Sequence, residues 1–292
     1  MKKLNRTTAV SKRLLGFAAA GASLAAIGAH AQTIISDNFN EYGTGNAYGS
    51  GGTLVGVTPD VANLPGGTWQ QANGYTWAVP AIQGQGWYSN PFSESIANTQ
   101  ANGTGFGISI ASNGSYVEPS QLSISADLSI ETNGQALAQN VLDLGFYAAG
   151  TTFSAYSYPI PNFTGLSIDE AGDLTLLVNG AAVGSPVAYV GTFNPAALST
   201  LSYDVNTTAG TISNISFQGS TADYSSLEGG SGLFSASNIA YAGVYASGGP
   251  NDNGSATGNF VVAGAAVPEP GTYAMLASGV LALGAYQYRR RH

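Results

Sequence analysis

Fifteen carboxylates and no cationic side chain occupy the stretch from Gln32 to Val267, which also contains no His, Met or Cys. That inventory removes most reaction chemistry. Without His, Lys or Cys there is no Ser-His-Asp or Cys-His nucleophile, no Schiff base and no histidine-ligated zinc. A Walker-type phosphate loop is excluded by its missing lysine. What remains is carboxylate chemistry, either glycoside hydrolysis or calcium binding. A glycosidase needs two carboxyl groups about 5–5.5 Å apart if retaining, or about 6.5–9.5 Å if inverting. On a strand, residues i and i+2 stand about 6.7 Å apart on one face, and i and i+4 about 13 Å apart. No two acids here are separated by two positions, and Asp127 and Glu131 share a face at the longer spacing. A pair assembled from different strands stays open.

Calcium is the better use for unpaired acids, which must otherwise be solvated or bonded to backbone N–H groups. Asp169, Glu170 and Asp173 cluster at one turn, and Asn251, Asp252 and Asn253 at another. Asp169, Asp173 and Asp252 are the candidate metal ligands, although neither cluster fits an EF-hand loop. The alternative for each is a turn-forming Asx residue in water. No cofactor other than calcium is implied. A second candidate site is aromatic. All three tryptophans fall in GTWQQANGYTWAVPAIQGQGWYSNPF (67–92). There Trp69, Tyr75, Trp77, Trp87 and Tyr88, with Phe92, are interleaved with the amides Asn73, Gln83, Gln85 and Asn90. Aromatic faces beside amides suit a neutral sugar; the alternative is that these rings fill a core or pin loops.

The elements that must position such residues are strands. In QLSISADLSIE (121–131) Leu122, Ile124, Ala126, Leu128 and Ile130 alternate with Ser123, Ser125, Asp127, Ser129 and Glu131. That period of two is a half-buried antiparallel strand. Segments 106–111, 143–148, 165–170, 173–180, 200–205, 215–218 and 238–246 continue the pattern. Asn-Gly pairs at 102–103, 113–114, 133–134, 179–180 and 253–254, and EAGD at 170–173, mark turns. NPAALST (194–200) and TADYSSLE (221–228) read as short helical turns, and no repeat of solenoid or propeller period is present. A dozen or so strands without crossover helices predict an all-β, two-sheet antiparallel jelly-roll sandwich over 32–265. A β-helix and a pair of immunoglobulin-like domains are the competing architectures. The body is long enough to fold around its own core without disulfides.

All eight Lys and Arg residues lie at the two ends. Five precede the apolar run LLGFAAAGASLAAI (14–27), and Ala29-His30-Ala31 is a small-x-small pattern that places signal cleavage between Ala31 and Gln32. Residues 1–31 are therefore a secretory signal. The body carries a formal charge of −15, so it repels nucleic acid and anionic membranes. At the other end, Pro268-Glu269-Pro270 precedes an apolar run over 271–288, about 27 Å long as a helix. Arg289, Arg290 and Arg291 follow as a stop to translocation. Two prolines hold the preceding segment extended and accessible.

This ordered trio over 266–292 resembles the PEP-CTERM sorting signal of Gram-negative bacteria. The resemblance implies export through Sec, a transient stay in the inner membrane and recognition by an exosortase. Release to the cell surface or extracellular matrix follows, in a family commonly linked to exopolysaccharide and biofilm. The body resembles concanavalin-like lectin and glucanase domains in its segment order. SDNFNEYG opens it, SIDEAGDLTLLVNGAAVGSPV reads as a hairpin, and IAYAGVYASGGPNDNGSATGNFVV closes on a core strand. The Glu-x-Asp-x-x-Glu pattern of glucanases with that fold is missing. The expectation is a non-catalytic surface or matrix protein that binds or scaffolds extracellular polysaccharide. A purely structural, filament-forming protein and a carboxylate-dependent glycoside hydrolase are the alternatives.

Overall fold

Alternation of side chains, period two on one sheet and broken on the other, organises the molecule. The computed structural model describes residues 32–39, 54, 58–63, 67–71, 81–83, 96–99, 104–110, 120–130, 141–148, 162–235, 238–247 and 255–264. The strands are β1 (Gln32–Asp37), β2 (Val61–Ala62), β3 (Gln70–Gln71), β4 (Ala81–Gln83) and β5 (Ile96–Thr99). They continue as β6 (Thr104–Ser109), β7 (Gln121–Ser129), β8 (Val141–Tyr147), β9 (Phe163–Asp169) and β10 (Leu174–Val178). Then come β11 (Ala181–Val187), β12 (Ser199–Asn206), β13 (Thr211–Phe217), β14 (Tyr241–Ser247) and β15 (Ser255–Gly264). No α-helix occurs among the described residues.

Two antiparallel sheets result. The eight-stranded sheet runs β13-β12-β7-β15-β1-β2, with β5 on β15 and β4 on β5; the seven-stranded sheet runs β11-β10-β9-β8-β14-β6-β3. Successive strands cross between the sheets at β2–β3, β3–β4, β5–β6, β6–β7, β7–β8, β11–β12, β13–β14 and β14–β15, the connectivity of a jelly-roll sandwich. Local hairpins build the edge of the seven-stranded sheet. The EAGD turn joins β9 to β10. Asn179 and Gly180 join β10 to β11 with φ of 51° and 79°, the left-handed pair that a tight hairpin turn demands. NPAALST and TADYSSLE form Asx-capped single turns, with Ala196 N donating to Asn194 Oδ1 and Ser225 N to Asp223 Oδ1.

The core lies between the sheets. Leu122, Ile124, Ala126 and Leu128 of β7 point inward with Leu201, Tyr203 and Val205 of β12 and Phe260 and Val262 of β15. They meet Phe106 and Ile108 of β6, Leu142, Leu144 and Phe146 of β8, Leu166 and Ile168 of β9, and Ala242 and Val244 of β14. Each buried Leu, Ile, Val or Phe side chain among them contributes roughly 1.5–3 kcal/mol of transfer free energy. The Tyr203 hydroxyl crosses the interior to donate to the Leu144 carbonyl at 2.8 Å, tying β12 to β8. Ser129 departs from the polar half of the alternation. It is 1% exposed because the 194–197 turn crosses the end of β7, where Pro195 O accepts from Ser129 Oγ and Ile130 N.

Candidate functional site

The two sheets present different outer faces. On the eight-stranded sheet the outward residues of four neighbouring strands are almost all hydroxyls, amides and carboxylates. Ser202 stands between Ser216 and Ser125, Asp204 between Ser213 and Ser123, and Asn206 between Thr211 and Gln121. Thr200 opposes Asp127, and Val261 and Ala263 of β15 complete the rows beside Ser125 and Ser123. Side chains bond laterally within this tray. Asp127 Oδ2 accepts from Asn259 Nδ2 at 2.8 Å, and its Oδ1 accepts from the Thr200 hydroxyl. Asp204 Oδ2 accepts from Asn214 Nδ2 at 2.7 Å, where a bulge in β13 gives Asn214 a φ of 55°. The residues of the tray are half-buried to exposed, and none of them is cationic.

On the seven-stranded sheet the outer face is buried at its centre, whereas the edge strand β11 is exposed. Gly107, Gly243, Gly145 and Gly165 fall opposite one another on four consecutive strands. A Cβ at Gly243 would lie 2.0 Å from the Phe106 carbonyl oxygen, and one at Gly145 or Gly165 would lie 2.8 or 2.9 Å from Phe163 Cζ. The row is a seat for aromatic rings. Tyr147 and Phe163 pack above it with centroids 5.3 Å apart and planes at 61°, and Tyr245 and Leu177 complete a second apolar cluster.

Asp143 stands in that face, between Tyr245 on β14 and Ser167 on β9. It is fully buried, and neither carboxylate oxygen completes a hydrogen bond among the described residues. Burial pushes its pKa up to about 7, and the Ser167 side chain offsets part of that rise. Burial, and then the Asp143 charge, raise the phenols of Tyr147 and Tyr245. None of Asp143's register neighbours is a second carboxylate, so the paired geometry of a glycosidase is not assembled along this row.

The residues singled out by sequence divide sharply. Trp69 is a core residue, 0% exposed. Its ring meets Phe106 and Phe260 edge-on at 5.1 and 5.3 Å. Its indole N–H donates to Asp37 Oδ2 at 2.5 Å. Trp69, expected as a glycan contact, is instead buried, with its one polar atom bonded inside. Asp37 also accepts from Phe39 N at 2.7 Å. Burial raises its pKa to about 6; the Trp69 and Phe39 bonds pull it down, and the nearby Asp60 charge pushes it up. Tyr75, Trp77, Trp87 and Tyr88 lie outside the described residues.

Of the metal candidates, Asp169 Oδ1 accepts from Ala171 N and Asp173 N at 2.9 Å each, and Asp173 Oδ1 accepts from Tyr189 N at 3.1 Å. These oxygens shape the turn and dock β11's exit. Among the described residues no group of three acids or histidines is placed to hold a metal, and Asp252 lies outside them. Sequence reasoning passed over Asp143, although VLDLGFY carries the signal: Asp143, Gly145 and Tyr147 share the face opposite Leu142, Leu144 and Phe146. It also missed the Asp127–Thr200 contact, which spans 73 residues of chain.

Val267-Pro268-Glu269-Pro270, the apolar run and the terminal arginines lie outside the described residues, and their meaning comes from likeness. Residues 266–291 match the PEP-CTERM protein-sorting motif. This sorting tail implies export, a membrane-anchored intermediate and exosortase processing before surface display. No curated protein matches the chain. Among solved structures the body is similar to lectin II from Ulex europaeus (9% identity, TM-score 0.38), covering 67% of this chain and 98% of that one. It is similar to the carbohydrate recognition domain of Emp47p (14%, TM-score 0.36; 64% and 90% covered). A third is the catalytic domain of the glycoside hydrolase family 131 protein from Coprinopsis cinerea (13%, TM-score 0.33; 61% and 71% covered). At such identities these likenesses assign no activity to this chain.

Proposed function

We propose that the chain is an exported, exosortase-sorted surface or matrix protein whose 32–265 sandwich binds or scaffolds extracellular polysaccharide without catalysis. Signal cleavage falls after Ala31, and processing falls near Pro268-Glu269-Pro270, with Arg289–Arg291 holding the tail's end inside. The observation that carries the binding half is the hydroxyl and amide tray on the outer face of the eight-stranded sheet. Its groups repeat about every 4.8 Å across strands and about 6.7 Å along them. Such a lattice meets the hydroxyls of an extended glycan at many points, each weak and together additive. With a body charge of −15, the ligand is a neutral polymer, or an anionic one bridged by calcium.

The test is retention of the exported protein on immobilised neutral and acidic polysaccharides, with and without calcium. Retention lost in a Ser125→Val/Ser202→Val variant of unchanged fold supports the reading. No retention on any polymer contradicts it; assembly without sugar favours the structural alternative, and release of reducing ends the hydrolase. For the sorting half, mass spectrometry of the mature protein should find no peptide containing Arg289–Arg291. Changing Pro268-Glu269-Pro270 to alanines should block release, and an intact tail on the released protein would contradict processing.

A further inference from the structure

One corner of the tray holds more than a binding surface. Thr200 and Gln218 face each other at the end of the β12–β13 ladder, fixed by a reciprocal pair of bonds. Gln218 N donates to Thr200 O at 2.8 Å, and Thr200 N donates to Gln218 Oε1 at 3.0 Å. A backbone N–H only donates, so the second bond settles which end of the Gln218 amide faces Thr200. The Thr200 hydroxyl oxygen lies 3.1 Å from that same Oε1. Its single proton goes to the stronger acceptor, the Asp127 carboxylate. Asn259 holds the other Asp127 oxygen at 2.8 Å.

Read as chemistry, these are the parts of an acyl transfer. A hydroxyl nucleophile is bonded to a carboxylate base, the base is oriented by an amide, and an amide carbonyl is polarised by a backbone donor. We propose that Thr200 and Gln218 close into an intramolecular ester in the exported protein. Thr200 Oγ1 attacks the Gln218 side-chain carbonyl carbon as Asp127 takes the hydroxyl proton. Thr200 N–H stabilises the charge that develops on Oε1. The tetrahedral centre collapses with cleavage of the C–Nε2 bond, and the departing nitrogen takes the proton from Asp127 and leaves as ammonia. One C–O bond forms, one C–N bond breaks, and nothing is oxidised or reduced. Held geometry supplies the high effective concentration that such a transfer needs, and escape of ammonia into the medium drives it forward.

The link would close a loop across 18 positions of sequence and staple β13, the terminal strand of the eight-stranded sheet. It gives a chain with no cysteine the unfolded-state constraint that a disulfide supplies elsewhere. Asp127 touches the reacting hydroxyl and is the catalytic residue; Asn259 acts through Asp127 and is a positioning residue.

The test is peptide mapping by mass spectrometry of the exported protein, cut with chymotrypsin because its body has neither Lys nor Arg. The expected result is a joined species containing the Thr200 and Gln218 peptides, lighter than their sum by one ammonia. Alkaline hydroxylamine should separate it, leaving a hydroxamate at position 218. Thr200→Ser should still join, whereas Thr200→Val and Asp127→Asn should give both peptides unjoined at full mass. Asn259→Ala should slow joining during refolding, a covalent readout that a merely structural role would leave unmoved. Loss of ammonia confined to a cyclised Gln32 or to Asn179-Gly180 overturns the proposal. So do unjoined, full-mass Thr200 and Gln218 peptides in the wild type, and that outcome depends on no variant folding.

Discussion

The outer faces of the two sheets teach opposite lessons about what a sheet surface is for. The eight-stranded sheet keeps its face polar and bonded side to side, with Asp127 and Asp204 each held by a neighbouring side chain. The centre of the seven-stranded sheet spends its face on burial, with glycines admitting rings and one carboxylate taken inside with them. A buried carboxylate is expensive in its charged form, whereas hydroxyls half in water cost little and remain free to exchange water for a ligand. The first face is therefore read as a working surface and the second as structure.

That contrast breaks most visibly at the glycine row. Gly243→Val should cost about 4 kcal/mol or more, or prevent folding, because its Cβ collides with the Phe106 carbonyl oxygen at 2.0 Å. Denaturant unfolding checks this, and a loss below about 1 kcal/mol would mean the strands can part without penalty.

Asp143→Asn comes next. The folded value of about 7 lies above the ordinary 3.8, so the contribution of this group is complete below pH 3.8 and lost as pH rises through about 7. The variant should lose that slope and gain about 4 kcal/mol over the wild type at pH 8 relative to acid. Thermal melts across pH 4–8 read it, and parallel curves for the two proteins would contradict the burial of an ionisable carboxylate at this position.

Trp69→Phe should cost about 2 kcal/mol, through a small cavity and the loss of a donor to Asp37. That donor lowers the Asp37 pKa, so without it the group titrates higher and the cost should grow as pH rises past about 6. A pH-independent cost would place the indole's contribution in packing alone.

How much of this was legible in the sequence follows the same division. On β7 one face meets water, so period two appears in the residues, and the observed burial of Leu122, Ile124, Ala126 and Leu128 follows it. β9 is buried on both faces from Phe163 to Ile168, so its sequence shows a strand but not which side is which. The turns were readable because Asn179-Gly180 must adopt left-handed angles. The fate of Trp69 was not, because the same residue types serve a sugar or a core, and only its partner Asp37, 32 positions away, decides between them. The Asp127–Thr200–Gln218 cluster is a product of register and has no local signature.

The smallest change in stability belongs to the tray, and it carries the largest consequence for function. Ser125→Val/Ser202→Val should alter stability by only about 0.5 kcal/mol, since both side chains face outward from well-paired strands. Retention of this variant and of wild type on a polysaccharide that the wild type binds is the most direct measurement. The account predicts at least a tenfold loss of retention for the variant. Equal retention by a folded variant would contradict the assignment of the eight-stranded sheet's outer face as the binding surface.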